Sequence, residues 1–223
     1  MQTDLVSGSE NKDLERLQEI PTSTLANALD KYGVYENILQ NIHGIVPGLK
    51  VIGPAMTVKE ITGEANTFDS SDFAVGAIID LARPGEVIVI EEGGAPYSTW
   101  GGMASLAAQV KGIAGIVVDG GVRDFEEIKD LNFPVFSRHL TPTTGRTRLK
   151  VDQLNVPVNV GGVRVCPGDI IVGDGTGILS IPSSGLREIT KIAELYVQDD
   201  AQAALEIRKG LSFSETMRKF SNI

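Results

Sequence analysis

The run Ile113-Ala114-Gly115-Ile116-Val117-Val118-Asp119-Gly120-Gly121-Val122-Arg123-Asp124 decides how this chain folds. Its first part is a short, continuous apolar stretch, which predicts a strand buried on both faces, ending at Asp119-Gly120-Gly121. A second short helix is expected from near Asp124 to Leu131. Upstream, Val87-Ile88-Val89-Ile90 reads as another buried strand, followed by a Gly-rich loop from Glu92 to Gly102 and a small apolar helix from Met103 to Val110. A helix that packs on a sheet and leads into a parallel strand runs antiparallel to both strands. The loops after Ile90 and Val118 therefore meet at one edge of the sheet, the carboxyl edge where open α/β sheets bind ligands.

Two chemical features converge at that edge. One is the helix start, where the free amides of Gly102, Met103 and Ala104 favour an anion, and where Gly101 and Gly102 let a ligand approach the backbone. The other is Arg123-Asp124. The guanidinium of Arg123 is a planar, permanently charged fork suited to a carboxylate or phosphate. Asp124 is a hard oxygen ligand for a cation such as Mg²⁺, which needs only one or two carboxylates plus water. Together they describe a site for a 2-oxo acid, with the carboxylate on the amides and Arg123 and the keto oxygen on the metal. A plainer reading stands beside this one: Asp124 as a helix N-cap and Arg123 as a surface charge. Asp119 reads as a turn-former or as a partner of Arg123. Trp100 walls the pocket or packs at a subunit contact. His43 and His139 read as loop or packing residues. The glycines match neither a Walker loop nor a dinucleotide fingerprint.

Outward from this block, residues 14–20 read as helical. Pro21-Thr22-Ser23-Thr24 starts a second helix, with Ser23 or Thr24 as cap and Gly33 as stop. Strands are expected over Val46–Val51 and Ala55–Ile61, separated by Gly53-Pro54. A helix is expected over Phe73–Leu81, a strand at Val135-Phe136 and an exposed loop from Leu140 to Leu149. Residues 156–182 read as all β, and Leu186–Lys209 as a long amphipathic helix. The organisation predicted is one domain over residues 1–223, with N-terminal helices at about 10–33 and a C-terminal helical extension at about 186–220.

Composition narrows the function. The 223 residues are 42% hydrophobic and 22% charged, with a formal net charge of −9. That balance disfavours a binder of nucleic-acid backbone. The one cysteine, Cys166, lies in a strand-like stretch and reads as buried packing; with only two histidines, a structural zinc site is not expected. No apolar run approaches a membrane span, and the first residues carry no basic or apolar leader pattern, so a cytoplasmic location is expected.

The runs Trp100–Ala108 and Gly112–Asp124 resemble the RraA-like family, as do Leu81–Val87, Gly161-Gly162-Val163, Pro167-Gly168-Asp169, Asp174–Gly177 and Gly210-Leu211-Ser212. The resemblance spans about residues 20–220. That family includes 4-hydroxy-4-methyl-2-oxoglutarate aldolases, which also decarboxylate oxaloacetate, and the regulator of ribonuclease E activity. The resemblance implies an α/β fold, an αββα sandwich with a swivelling β/β/α core, assembled as a homotrimer or homohexamer. It implies Mg²⁺ or Mn²⁺ on Asp124, Arg123 on the pyruvoyl end of the substrate, and the amides of Met103 and Ala104 on its carboxylate. The implied reaction is carbon–carbon cleavage to a pyruvate enolate, the class II pyruvate aldolase or oxaloacetate decarboxylase type. A non-catalytic regulatory trimer that binds a protein partner is the alternative. One departure stands out. The aldolases carry an Asp, then twenty intervening residues, then Arg-Asp, and here that first position is Gly102. Either bulk water or another residue, with Glu92 as a candidate, must then move the proton. The family's carboxylate on the C-terminal helix, contributed across a subunit boundary, falls nearest Asp199 or Asp200, with Glu194 also possible.

Overall fold

The computed structural model describes residues 8–220. They fall into two units, residues 36–183 and a helical unit made of the two ends of the chain. The larger unit holds a nine-stranded mixed sheet. Its strands are β1 (His43–Gly44), β2 (Val51–Thr62), β3 (Val87–Glu91), β4 (Ser98–Trp100), β5 (Gly115–Val122), β6 (Val135–Leu140), β7 (Leu149–Leu154), β10 (Ile170–Gly173) and β11 (Ile178–Ile181). The strands β8 (Val158–Val160) and β9 (Val163–Val165) form a separate antiparallel hairpin. The path through the main sheet is β1-β6-β5-β3-β2-β10-β11, with β4 added to β5 and β7 to β2. The helices α3 (Val75–Leu81), α4 (Gly102–Lys111) and α5 (Phe125–Leu131) connect its strands.

The central strands are apolar on both faces because both faces are covered. On β3, Ile88 and Ile90 belong to a core shared with Ile78 of α3, Ala108 of α4 and Ile128 of α5. Val87 and Val89 point the other way, into a core shared with Val158, Val160, Val163 and Val165 of the hairpin. β5 repeats the alternation, with Ile116 and Val118 on the helical side and Val117 on the other. β2, β3, β5 and β6 pair in parallel, so the loops after Ile90 and at the end of β5 do share an edge.

Several local expectations change. Gly53-Pro54 does not divide two strands. β2 runs through it, because Pro54 stands opposite Ile170 of β10, one residue before the β3 ladder begins at Ala55, so its missing N–H is tolerated. Residues 46–50 form a turn instead of a strand. The loop expected from Glu92 to Gly102 contains β4. β5 does not end at Asp119. It continues to Val122, since β4 and β6 both pair with Gly121 and Val122. Gly120 and Gly121 are therefore packing glycines, not turn glycines. A Cβ on Gly120 would press into the Glu92 carboxyl, and one on Gly121 into the Tyr97 carbonyl. β7 arises from residues that alternate weakly and pairs with the far half of β2. Cys166 is half-buried and lies just beyond β9; its amide donates to Asp169 Oδ2 at 2.8 Å.

In the helical unit, α1 (Gly8–Leu17) and α2 (Thr22–Tyr32) pack with α6 (Leu186–Arg208), and α7 (Phe213–Lys219) follows α6. Pro21, not Ser23 or Thr24, holds the N-cap position of α2, and no side chain caps it. Gly33 ends α2 in the left-handed region, φ 92°. Among the described residues no helix is long and apolar enough to cross a membrane.

Ile88 is fully buried between the sheet and its helices. Ile88→Ala is expected to lower unfolding stability by about 2–5 kcal/mol, read from urea denaturation at constant m.

Candidate active site

The chain turns sharply after β5. The Arg123 amide donates to the Trp100 carbonyl at 3.0 Å, tying the end of β5 to the end of β4. Asp124 follows in the left-handed region, φ 59°, which Asp adopts more readily than most residues. It stands at the N-cap of α5, yet its side chain makes no cap bond. The carboxylate reaches across to α4 instead. Oδ2 accepts from the Gly102 amide at 3.1 Å and lies 3.4 Å from Arg123 Nε. Gly101 leaves room for this, since a Cβ there would press on Asp124 Oδ2 and stand 3.1 Å from Arg123 Cγ.

Hydrogen bonds hold the corner from β4 into α4. Ser98 Oγ donates to the Trp100 carbonyl at 2.9 Å, Trp100 Nε1 to Ser105 Oγ at 2.9 Å, and Ser105 Oγ to the Gly101 carbonyl at 3.0 Å. Trp100 is thus a buried anchor beneath the site. A cleft of about 180 Å³ opens beside it, bounded by Phe73, Val75, Thr99, Met103, Arg123 and Asp124. A second cleft of about 390 Å³ shares Arg123 and Asp124 and is closed by Phe125, Leu140, Thr141 and Pro142. The two charged side chains are partly exposed, 49% for Arg123 and 34% for Asp124. The Met103 and Ala104 amides belong to the first turn of α4 and have no carbonyl one turn back within the helix.

Of the residues singled out from sequence, Gly101, Met103, Ala104, Arg123 and Asp124 border one cleft. Gly102 adjoins it and spends its amide on Asp124. The space a side chain at 102 would fill holds the Glu127 carboxylate. Asp119 does not partner Arg123. It binds Arg138 through Nε at 2.6 Å and accepts from the Gly161 amide at 2.9 Å. Asp199 and Asp200 lie on α6 of the helical unit, where partial burial and then the charge of Asp199 raise the Asp200 carboxyl. Glu194 of the same helix pairs with Arg16 Nε at 2.9 Å. His139 Nε2 stands 3.1 Å from the Gly94 carbonyl, and His43 is exposed on β1.

Glu92 is buried, 2% exposed, and does not border the cleft. Sequence reading missed its neighbour Glu60. The signal was available: Glu60 follows Met56 and Val58 at strand spacing on the helical side of β2, a position that calls for an apolar residue. Thr99 Oγ1 donates to Glu60 Oε1 at 2.7 Å, and the Gly121 amide to Glu92 Oε2 at 3.2 Å. Burial pushes the Glu60 carboxyl up to about 7, against the pull of the Thr99 bond. Burial first, then the charge of Glu60, pushes Glu92 up to about 10.

A carboxyl raised in the folded state binds its proton more tightly there than in the unfolded chain. Its stabilising share is complete below the ordinary value of 4.5 and for Glu60 is lost as pH rises through about 7. Glu60→Gln removes that titration. Its unfolding stability relative to the unaltered protein is expected to rise between pH 4.5 and pH 8 by on the order of 3 kcal/mol, read from thermal or urea unfolding across that range. A constant difference would show that Glu60 does not titrate in this window.

The family model RraA-like, described as Aldolase/RraA, matches residues 22–180. An uncharacterized protein of Methanocaldococcus jannaschii is 36% identical over 182 residues, 79% of this chain and 84% of its own length. A protein of Halalkalibacterium halodurans, named as a candidate 4-hydroxy-4-methyl-2-oxoglutarate aldolase, is 34% identical over 196 residues, 87% of this chain and 88% of its own. The crystal structure of Streptomyces coelicolor RraAS2, described as an unusual member of the RNase ES inhibitor RraA protein family, superimposes with a TM-score of 0.80 at 28% identity. It covers 87% of this chain and 98% of its own. By its sequence over residues 22–180 and by its fold, the chain belongs to the RraA-like family.

Proposed function

We propose that the protein is a divalent-metal-dependent lyase that cleaves a carbon–carbon bond in a small 2-oxo acid. One observation carries the reading. Asp124 occupies an N-cap position but leaves its own helix uncapped, and turns its carboxylate to the start of α4 beside Arg123. The carboxylate thus stands at the cleft next to a guanidinium instead of on its own helix.

The residues fit the roles. The amides of Met103 and Ala104 meet the substrate carboxylate. The Arg123 guanidinium meets the oxygen on which negative charge develops. Stabilising charge that appears only as the bond breaks accelerates the reaction. The donor set, one hard carboxylate at the mouth of a water-accessible cleft, suits Mg²⁺ or Mn²⁺ bound through Asp124 and water. Such an ion, when bound, withdraws electron density from the keto oxygen. Breaking the C3–C4 bond leaves the bonding pair on C3 as an enolate and releases CO₂ from a carboxylate or, as the C4 hydroxyl gives its proton to water, a carbonyl fragment; C3 then takes a proton. The name of the Halalkalibacterium relative supports this reading.

Asp124→Asn keeps a residue that accepts the left-handed conformation and removes only the charge. Mn²⁺ affinity is expected to fall at least about tenfold by calorimetric titration; equal affinity would move the metal elsewhere. Arg123→Lys keeps the charge and loses the fork, and is expected to lower kcat by about 2–4 kcal/mol of transition-state stabilisation on oxaloacetate or a 4-hydroxy-2-oxo acid. Binding of Mn²⁺ with no turnover of any such acid would favour the regulatory, protein-binding alternative.

The same reading includes self-assembly as a trimer or hexamer. α4 exposes Met103 at 74%, Leu106 at 40% and Val110 at 81%, an apolar stripe at helical spacing that begins at the cleft. Light scattering is expected to give at least a trimer, and Leu106→Glu with Val110→Glu a smaller species. A monomeric unaltered protein would contradict the assembly.

A further inference from the structure

Two buried acids lie behind the cleft and the chemistry above does not use them. Glu60 is 5% exposed and Glu92 2%. Among the described residues, Glu60 Oε2 and Glu92 Oε1 are the buried side-chain polar atoms that lack a hydrogen-bond partner. Burying two carboxyls so incompletely satisfied is costly, and hydrophobic side chains of like volume would fill the space better. Yet the fold builds room for them. Gly120 lacks the Cβ that would strike the Glu92 carboxyl, and the Gly121 amide donates to it at 3.2 Å.

The groups facing the pair carry no compensating charge. Glu92 faces Glu60 and Asp119, and Asp119 is already held by Arg138. Glu60 meets the Thr99 hydroxyl at 2.7 Å. Neither acid forms an ion pair among the described residues. Thr99 is the link outward, since it also borders the cleft that holds Arg123 and Asp124.

We propose that Glu60 and Glu92 form a buried carboxyl pair that stores a proton for the cleft and delivers it through the Thr99 hydroxyl. The delivery step rests on the lyase reading, because the enolate is what the proton quenches. When Glu60 is protonated, its O–H donates to Thr99 Oγ1 and the Thr99 O–H turns to the cleft. Carbon C3 of the enolate takes the Thr99 proton, and Thr99 takes the Glu60 proton. Glu60 is left as carboxylate and regains a proton from solvent by the reverse route. Glu92 stays protonated and keeps a second charge away from Glu60, so that Glu60 can ionise near neutral pH, where acid–base exchange is most effective. Glu60 and Glu92 act through Thr99 and are positioning residues.

The test is exchange of deuterium from D₂O into the methyl group of pyruvate with Mg²⁺, followed by NMR, across pH 5–9. Glu60→Gln and Thr99→Val are expected to lower kcat about tenfold or more, leave KM and Mn²⁺ affinity unchanged, and remove the inflection near neutral pH. Thr99→Ser, which keeps the hydroxyl, is expected to recover most of the rate. Variants with the kcat and pH profile of the unaltered protein would overturn the relay. Infrared spectroscopy separates this proposal from the lyase reading. A buried carboxyl C=O band that persists at neutral pH and disappears in Glu92→Gln, with a second that fades as pH rises through about 7, disappears in Glu60→Gln and shifts in Thr99→Val, supports the stored proton and its link to Thr99. Absence of either band overturns the pair. If the unaltered protein exchanges no deuterium, the lyase reading fails and delivery to an enolate fails with it. The infrared result then decides whether the protonated pair itself exists.

Discussion

The hydrogen bond from the Gly102 amide to Asp124 Oδ2 joins two elements that lie 22 residues apart in sequence. It fixes the start of α4 against the turn after β5, and it does so only because β3 and β5 pair in parallel with α4 between them. Gly101 leaves room for the Asp124 and Arg123 side chains, and the Arg123 amide, bonded to Trp100, prevents the turn from swinging away. Around this contact gather an Arg side chain, a carboxylate and the open amides of a helix start. Without the contact, Asp124 would be free to cap α5 and the cleft would lose one wall.

The double glycine on β5 has a related purpose. Gly120 and Gly121 lie within a strand, at positions where the neighbouring segment from Glu92 to Thr99 passes too near for a side chain. That close approach brings Glu92 under β5 and places β4 as a further parallel strand beside it. Thr99 on β4 then faces a cleft on one side and Glu60 on the other. The buried acids and the exposed Arg-Asp pair are thus two consequences of one crowded sheet edge.

Burial makes the acid pair different in kind from the exposed charges. Arg123 and Asp124 retain water, so their attraction is modest and they remain available to a ligand. Glu60 and Glu92 have lost water without gaining a cation, which moves both protonation equilibria upward. The same fold therefore holds an exposed Arg-Asp pair open to a ligand and two buried carboxyls that hold their protons above the ordinary range, a few strands apart.

The sequence by itself determined the buried strands Val87–Ile90 and Ile113–Val118, the helix between them, the shared edge and the candidate pair Arg123-Asp124. Continuous apolar runs and helical spacing are local properties, and the handedness of the parallel crossover leaves little freedom in how they join. Tertiary structure alone decided the rest. Whether Gly120-Gly121 turns the chain or packs under a neighbour depends on what lies across from it, and glycine is compatible with both. Asp119 found Arg138 instead of Arg123 because β6 passes beside β5, a pairing no short window of sequence reports. Glu60 follows Lys59 in an otherwise apolar strand, and only the packed sheet set Thr99 against it and Glu92 near it. Local backbone preference is written residue by residue, whereas the partner of a buried polar group is fixed by which distant strand the sheet brings alongside.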